Sequence, residues 1–301
     1  MGCWNETCYM SNLPIRWGNK VAFFVLAPSS NQRLMETCYP EDNFVPLCFP
    51  IIGEYDDYGR IENFTMNPYM EQYLKTFTKL YTIHHTSGGE KEIVDYQYTS
   101  AEDFIQKLCG HSLLVDAAMS KEKIPLEFVM MHYELYQILL EDMGNRIPYG
   151  KNENLKTLHR KRTIEVLKTI DEKRTTFNDA RFEKQFGDMW AKQHFNFCDE
   201  YHFSHEYRWR SLNAMADQYL DTKDETIIDN MVNYILWYQV MMYSRKGYHC
   251  YSGGGCQSEE YMIHKIIANF ILKKCEERRN DEDEGYLPES VLSETIFFWG
   301  D

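Results

Sequence analysis

The sequence has no Cys-x-x-Cys pair, no internal repeat, no low-complexity tract and no long apolar run. Without Cys-x-x-Cys spacing, disulfide-exchange chemistry and an ordinary zinc knuckle both lose their usual signature. The most apolar stretches, VAFFVLA from Val21 and MVNYILWYQVMM from Met231, fall short of the roughly 20 residues that a membrane span needs. The start is polar and lacks the apolar segment of a secretory leader. These absences lead to the expectation of a cytosolic chain with mostly reduced thiols and no membrane partner. Positive charge is also in deficit: 32 basic side chains face 46 acidic ones, for a formal net charge of −14. Such a field repels phosphate backbones, so no direct contact with nucleic acid is expected, and the acidic surface suits a basic partner.

What is present belongs to a globular protein. Of the 301 residues, 44% are hydrophobic and 15% aromatic, enough to bury a sizeable core. Tyr and Met stand out at 22 and 15. Both serve interfaces as well as interiors, because they give large or adaptable contact area.

The first 65 residues differ in kind from the rest, holding five of the nine prolines and four of the nine cysteines. Lys20 to Leu26 reads as a strand after a tight Trp17-Gly18-Asn19 turn. Phe44 to Ile52, interrupted by Pro46 and Pro50, suits an edge strand, and Arg60 to Phe64 a returning one. The expectation is a Cys-containing β subdomain over 1–65. A mainly α-helical region then covers 66–301, with a break near 198–205. Asn67-Pro68 caps a helix carrying Tyr69, Tyr73, Phe77, Leu80 and Tyr81. Glu92 to Tyr98 reads as a short strand. Ser100 and Asp103 form a capping-box-like start, with Asp in place of Glu. Pro125 to Asn145 is the clearest amphipathic helix, with Phe128, His132, Leu135, Tyr136, Leu139 and Met143 as its stripe. Lys151 to Arg174 is a charged helix on a thin apolar thread. Helices also follow over Asp179 to Phe197, His205 to Leu220, Asp224 to Ser244 (apolar all round) and Ser258 to Arg278. β structure followed by many helices predicts an α+β fold.

Four groups of residues have the chemistry of a site. Cys3, Cys8, Cys38 and Cys48 are four thiols in one small subdomain, the donor set of structural zinc; the intervening gaps of four and nine residues suit buried reduced thiols better. His194, Cys198, His202 and His205 follow at offsets of four, four and three, which on one continuous helix would share a face and chelate a metal such as zinc. The mediocre helix formers among them favour an aromatic turn that packs or contacts a partner. Gly253, Gly254 and Gly255, just before the last long helix, permit anion binding at its start, with Cys256 beside them as a thiol for a Cys-His pair. The competing reading is a helix-to-helix loop capped by Ser258. Asp56 and Asp57 with Glu54 and Glu62 lack the spacing of a calcium loop and read as a solvated acidic turn. None of these defines a catalytic residue or requires a cofactor. Interface candidates are the aromatics Phe195, Phe197, Tyr201, Phe203, Tyr207 and Trp209, with Phe297, Phe298 and Trp299 in the apolar tail.

Read together, GCWNETC at 2–8, SNLPI at 11–15 and GEYDDYGRIEN at 53–63 carry a resemblance. The start is similar to a family of tailed-phage proteins that open on GCWN-x-TC and continue into a Leu-Pro-Ile turn. The resemblance covers about the first 65 residues together with the SGGGCQSEEY loop, and brings no catalytic pattern. It implies a phage accessory protein acting in the bacterial cytoplasm. Proteins of that kind include inhibitors of host immune systems. Among them, the Gabija anti-defence proteins are similar in size and work as oligomers that wrap and block a nuclease–helicase complex. The expectation is a non-enzymatic, homo-oligomeric inhibitor of a host defence complex. The alternatives are a Cys- or metal-dependent enzyme and a phage structural or assembly protein.

Overall fold

A computed structural model describes residues 6–28, 44–46, 50–56, 60–65, 80–110, 113–116, 123–174, 189–190, 193–194, 206–244 and 256–279. The fold is α+β: antiparallel sheets built from the N-terminal part, then helices.

The organising strand is β1, Lys20–Pro28. Five consecutive side chains, Val21 to Val25, are at most 1% exposed. Successive strand residues point to opposite faces, so such a run requires cover on both. One long edge of β1 pairs with β9, Glu127–His132, from Val21 opposite His132 to Leu26 opposite Glu127. The other edge is shared. β3, Ile51–Tyr55, lies beside its first half, and the short β2, Phe44–Pro46, beside its end. β4, Ile61–Thr65, completes this five-stranded sheet. The register of β3 and β4 shifts between Ile52 and Glu54. Gly53 sits in that irregularity, where a Cβ would run into Ile61 Cγ2 and fall 3.0 Å from the Glu62 carbonyl oxygen.

A second antiparallel sheet runs β6-β5-β7-β8, with β5 Leu80–His85, β6 Lys91–Tyr96, β7 Leu113–Asp116 and β8 Lys123–Pro125. Leu126, buried and donating its N–H to the Leu113 carbonyl at 2.9 Å, passes the chain from this sheet into β9. Between β6 and β7 lies α1, Ala101–Cys109. Its start is capped as expected: Ser100 Oγ accepts from the Asp103 N–H at 3.1 Å. The return arm differs from the standard box. Asp103 Oδ2 accepts from the Thr99 N–H at 3.0 Å, and also from the Tyr96 hydroxyl at 2.6 Å, tying α1 to strand β6.

The helical part consists of α2 Tyr133–Asn145, α3 Leu155–Arg174, α4 Glu206–Thr222, α5 Glu225–Ser244 and α6 Cys256–Arg279. α5 touches each of the other four. That position explains its apolar circumference: Ile227, Ile228, Met231, Val232, Ile235, Leu236 and Val240 are all buried. The sheet and the helices join through aromatics. Phe24 of β1 stacks on Trp237 of α5 at 4.5 Å, and Tyr136 of α2 meets the same Trp237 edge-on at 5.0 Å. On the opposite face of β1, Phe23 stacks on Phe128 at 5.0 Å. Among the described residues, no helix is long and apolar enough to cross a membrane.

Several sequence expectations need correction. Past residue 65 the strand expected at Glu92 to Tyr98 is present as β6, but it is one of five strands between Leu80 and His132, and the last of them pairs with β1. The helix expected over Pro125 to Asn145 begins only at Tyr133. Its first part is β9, because six residue pairs with β1 outweigh a periodicity that fits a helix equally well. Leu80 and Tyr81, assigned to a helix from Asn67, begin strand β5; residues 67–79 lie outside the described set. The last helix starts at Cys256, ahead of the Ser258 expected to cap it.

Candidate functional site

Polar chemistry in the interior gathers on α3. His159 and Thr163 are four residues apart and share a helix face, and both are at most 1% exposed. The Nδ1 atom of His159 lies 2.9 Å from Nδ1 of His194, whose ring is also buried. Residues 189–190 and 193–194 are helical, so Trp190 and His194 share a face as well. Their rings stack at 5.8 Å, and the Trp190 indole N–H donates to Asn213 Oδ1 of α4 at 2.9 Å. Two side-chain bonds, four residues apart, thus hold this segment: a buried one reaches α3, a part-buried one α4.

Burial decides the charge state of the pair. Desolvation pushes His159 down to about 4; the Arg162 guanidinium pushes the same way, and Gln239 of α5 pulls weakly back. Desolvation lowers His194 well below the ordinary value, with His159 and Arg162 adding to the effect. Both rings are neutral near pH 7, so one Nδ1 carries a proton and the other accepts it. A pair this sealed touches no solute. Its chemistry is to join two helices.

Among the described residues, no three His, Cys, Asp or Glu side chains gather to hold a metal ion. Of the His194, Cys198, His202 and His205 set, only His194 is described, and its Nδ1 meets His159; the other three lie outside the described residues. Of the four N-terminal cysteines, Cys8 is a free, fully buried core thiol, while Cys3, Cys38 and Cys48 lie outside. Gly253, Gly254 and Gly255 lie outside too. So do Phe195, Phe197, Tyr201, Phe203, Phe297, Phe298 and Trp299; Tyr207 and Trp209 are placed on α4 by their backbone alone.

The acidic turn is split by the fold. Asp56 is buried, and its Oδ1 accepts from the Arg60 N–H at 2.6 Å, closing the β3–β4 loop. Glu54 is exposed and accepts from Asn63 Nδ2 at 3.2 Å. Near this corner, burial and the Asp56 charge push the Cys109 thiol up to about 11, against the pull of Arg60, so it is no nucleophile at neutral pH.

Sequence reasoning missed His159. The signal was there: His159 and Thr163 interrupt the apolar stripe Leu155, Val166 and Ile170 with polar side chains. It also missed the α2–α3 loop. There Tyr149 is fully exposed and Ile147 66% exposed, on a backbone that is fixed. The Leu155 N–H donates to the Arg146 carbonyl at 2.8 Å and the Lys151 N–H to that of Pro148 at 3.0 Å. Arg146 donates to Asp142 Oδ2 through Nε and Nη2 at 2.9 and 2.6 Å. Asn154 Oδ1 caps α3 by accepting from the Thr157 N–H at 2.9 Å. A second display point is Trp17, 77% exposed at the tip of its turn. Asn19 Oδ1 closes that turn by accepting from the Arg16 N–H at 2.9 Å.

No family model, no curated protein and no solved structure matches this chain.

Proposed function

We propose that this chain is a non-enzymatic, phage-encoded inhibitor. In this reading it acts as a homo-oligomer in the host cytoplasm and blocks a bacterial anti-phage defence complex, with a Gabija-type nuclease–helicase assembly as the first target to try. One observation carries the protein-binding part. The described fold seals its histidine pair, His159 and His194, inside the helices, while braced loops hold Trp17, Ile147 and Tyr149 out in solvent. Catalysis needs reactive groups that a substrate can reach; recognition needs rigid apolar side chains on the outside. The phage and defence part rests on the resemblance of the GCWNETC start, and the −14 charge suits a basic target surface.

The test is co-purification of the tagged chain with each member of a panel of defence complexes, alongside phage growth in the same cells. The expected result is stoichiometric capture of one complex and restored plaque formation. Binding to none, with no protection of the phage, overturns the proposal.

A further inference from the structure

We infer that the Ile147–Tyr149 loop, with Lys151 and Lys156 beside it, is a docking point for a protein partner whose matching surface is an apolar pocket with an acidic rim. This rests on the protein-binding reading above and adds to it a place and a complementary chemistry. Ile147 and Tyr149 flank Pro148, and both project from the short connection between α2 and α3. Ile147 and Tyr149 thus set two large exposed apolar side chains close together on a backbone held by main-chain, cap and ion-pair bonds. Such a loop loses little conformational freedom on binding, and Tyr is one of the side chains enriched among interface anchors, with Trp and Arg.

The charges around the loop give the partner its sign. Arg146 is paired with Asp142, Lys161 with Glu153, and Arg160 with Glu225 and Asp229. Lys151 and Lys156 are exposed and make no ion pair with any described residue. In a chain of net charge −14, two cations with no ion pair among the described residues, next to the Ile147–Tyr149 protrusion, form a locally positive, apolar spot. An acidic rim around an apolar pocket complements both properties. Basic residues beside Ile and Tyr also suit an anionic membrane surface, but such a surface calls for a cluster of about four to eight basic residues, more than Lys151 and Lys156 supply.

The experiment uses the full chain and the complex it captures. Two double variants are compared with wild type: Ile147→Ser with Tyr149→Ser, and Lys151→Glu with Lys156→Glu. Removing the apolar pair is expected to weaken binding at least tenfold, through faster dissociation. Reversing the lysines is expected to slow association several-fold at low salt, with the difference shrinking as salt rises. Thermal midpoints should match wild type, since all four side chains are exposed. If wild type binds a complex and both variants bind it equally well, the docking assignment fails while the protein-binding reading stands. If wild type binds no complex, both fail. If wild type sediments with phosphatidylserine vesicles and the variants do not, the loop is a membrane contact and the protein-pocket assignment is overturned.

Discussion

His159 and His194 meet Nδ1 to Nδ1 at 2.9 Å inside the helical part, joining segments 35 residues apart in the chain. Because burial holds both rings neutral, the contact is a single N–H···N bond with no charge behind it. That makes it sensitive to acid in a defined direction. The folded His159 titrates near 4 and the unfolded ring near 6.5, so between those values the unfolded chain binds more protons. Stability is therefore unaffected above pH 6.5 and falls as pH drops from 6.5 towards 4. For His159 alone the loss reaches about 3 kcal/mol at the lower end, at 1.36 kcal/mol per pH unit. Urea titrations from pH 7.5 to 4 in wild type and in His159→Gln will check this; the variant should show the shallower dependence.

Trp190→Phe keeps most of the buried ring and deletes the N–H that donates to Asn213 Oδ1. The expected cost is about 1–2 kcal/mol, for one part-buried hydrogen bond and some lost contact. Trp190→Ala also empties the site, and about 3–5 kcal/mol is expected. Denaturant midpoints distinguish the two. No loss in Trp190→Phe would mean that the indole N–H contributes nothing.

Gly53→Ala puts a methyl group against Ile61 and the Glu62 carbonyl. The carbonyl belongs to the backbone of β4 and cannot rotate away. A destabilisation of about 1–3 kcal/mol is expected from overpacking, measured as a drop in thermal midpoint. An unchanged midpoint would show that β3 and β4 separate without cost.

Asp103→Ala removes the acceptor shared by Tyr96 and Thr99 at the start of α1. Loss of this cap should cost about 1 kcal/mol. The Tyr96 hydroxyl, held above its ordinary pKa by burial and by Asp103, should titrate lower in the variant. Two-dimensional NMR of ring-labelled tyrosine follows that shift.

Legibility varied with how local the physics was. The Ser100–Asp103 cap, the Trp17–Asn19 turn and strand β1 are short-range patterns, and all three stand in the structure. The apolar circumference of α5 correctly marked a helix surrounded by others. Phe128 to His132 was misread because its spacing serves a helix and a strand equally, and its partner β1 lies about a hundred residues upstream. The bond between His159 and His194 was invisible for the same reason. The α3 stripe marks His159 and the histidine-rich run marks His194, each in its own window, but only helix packing brings the two rings together.

The sequence by itself determined the α+β order, the caps and turns, and the excess of negative charge, because these follow from neighbouring residues or from composition alone. Tertiary structure decided that β9 closes onto β1, that Asp56 turns inward while Glu54 faces water, and that the two histidines are neutral partners. It also decided that Ile147 and Tyr149 remain outside. Burial and long-range pairing depend on what the rest of the chain covers, and no local pattern carries that information.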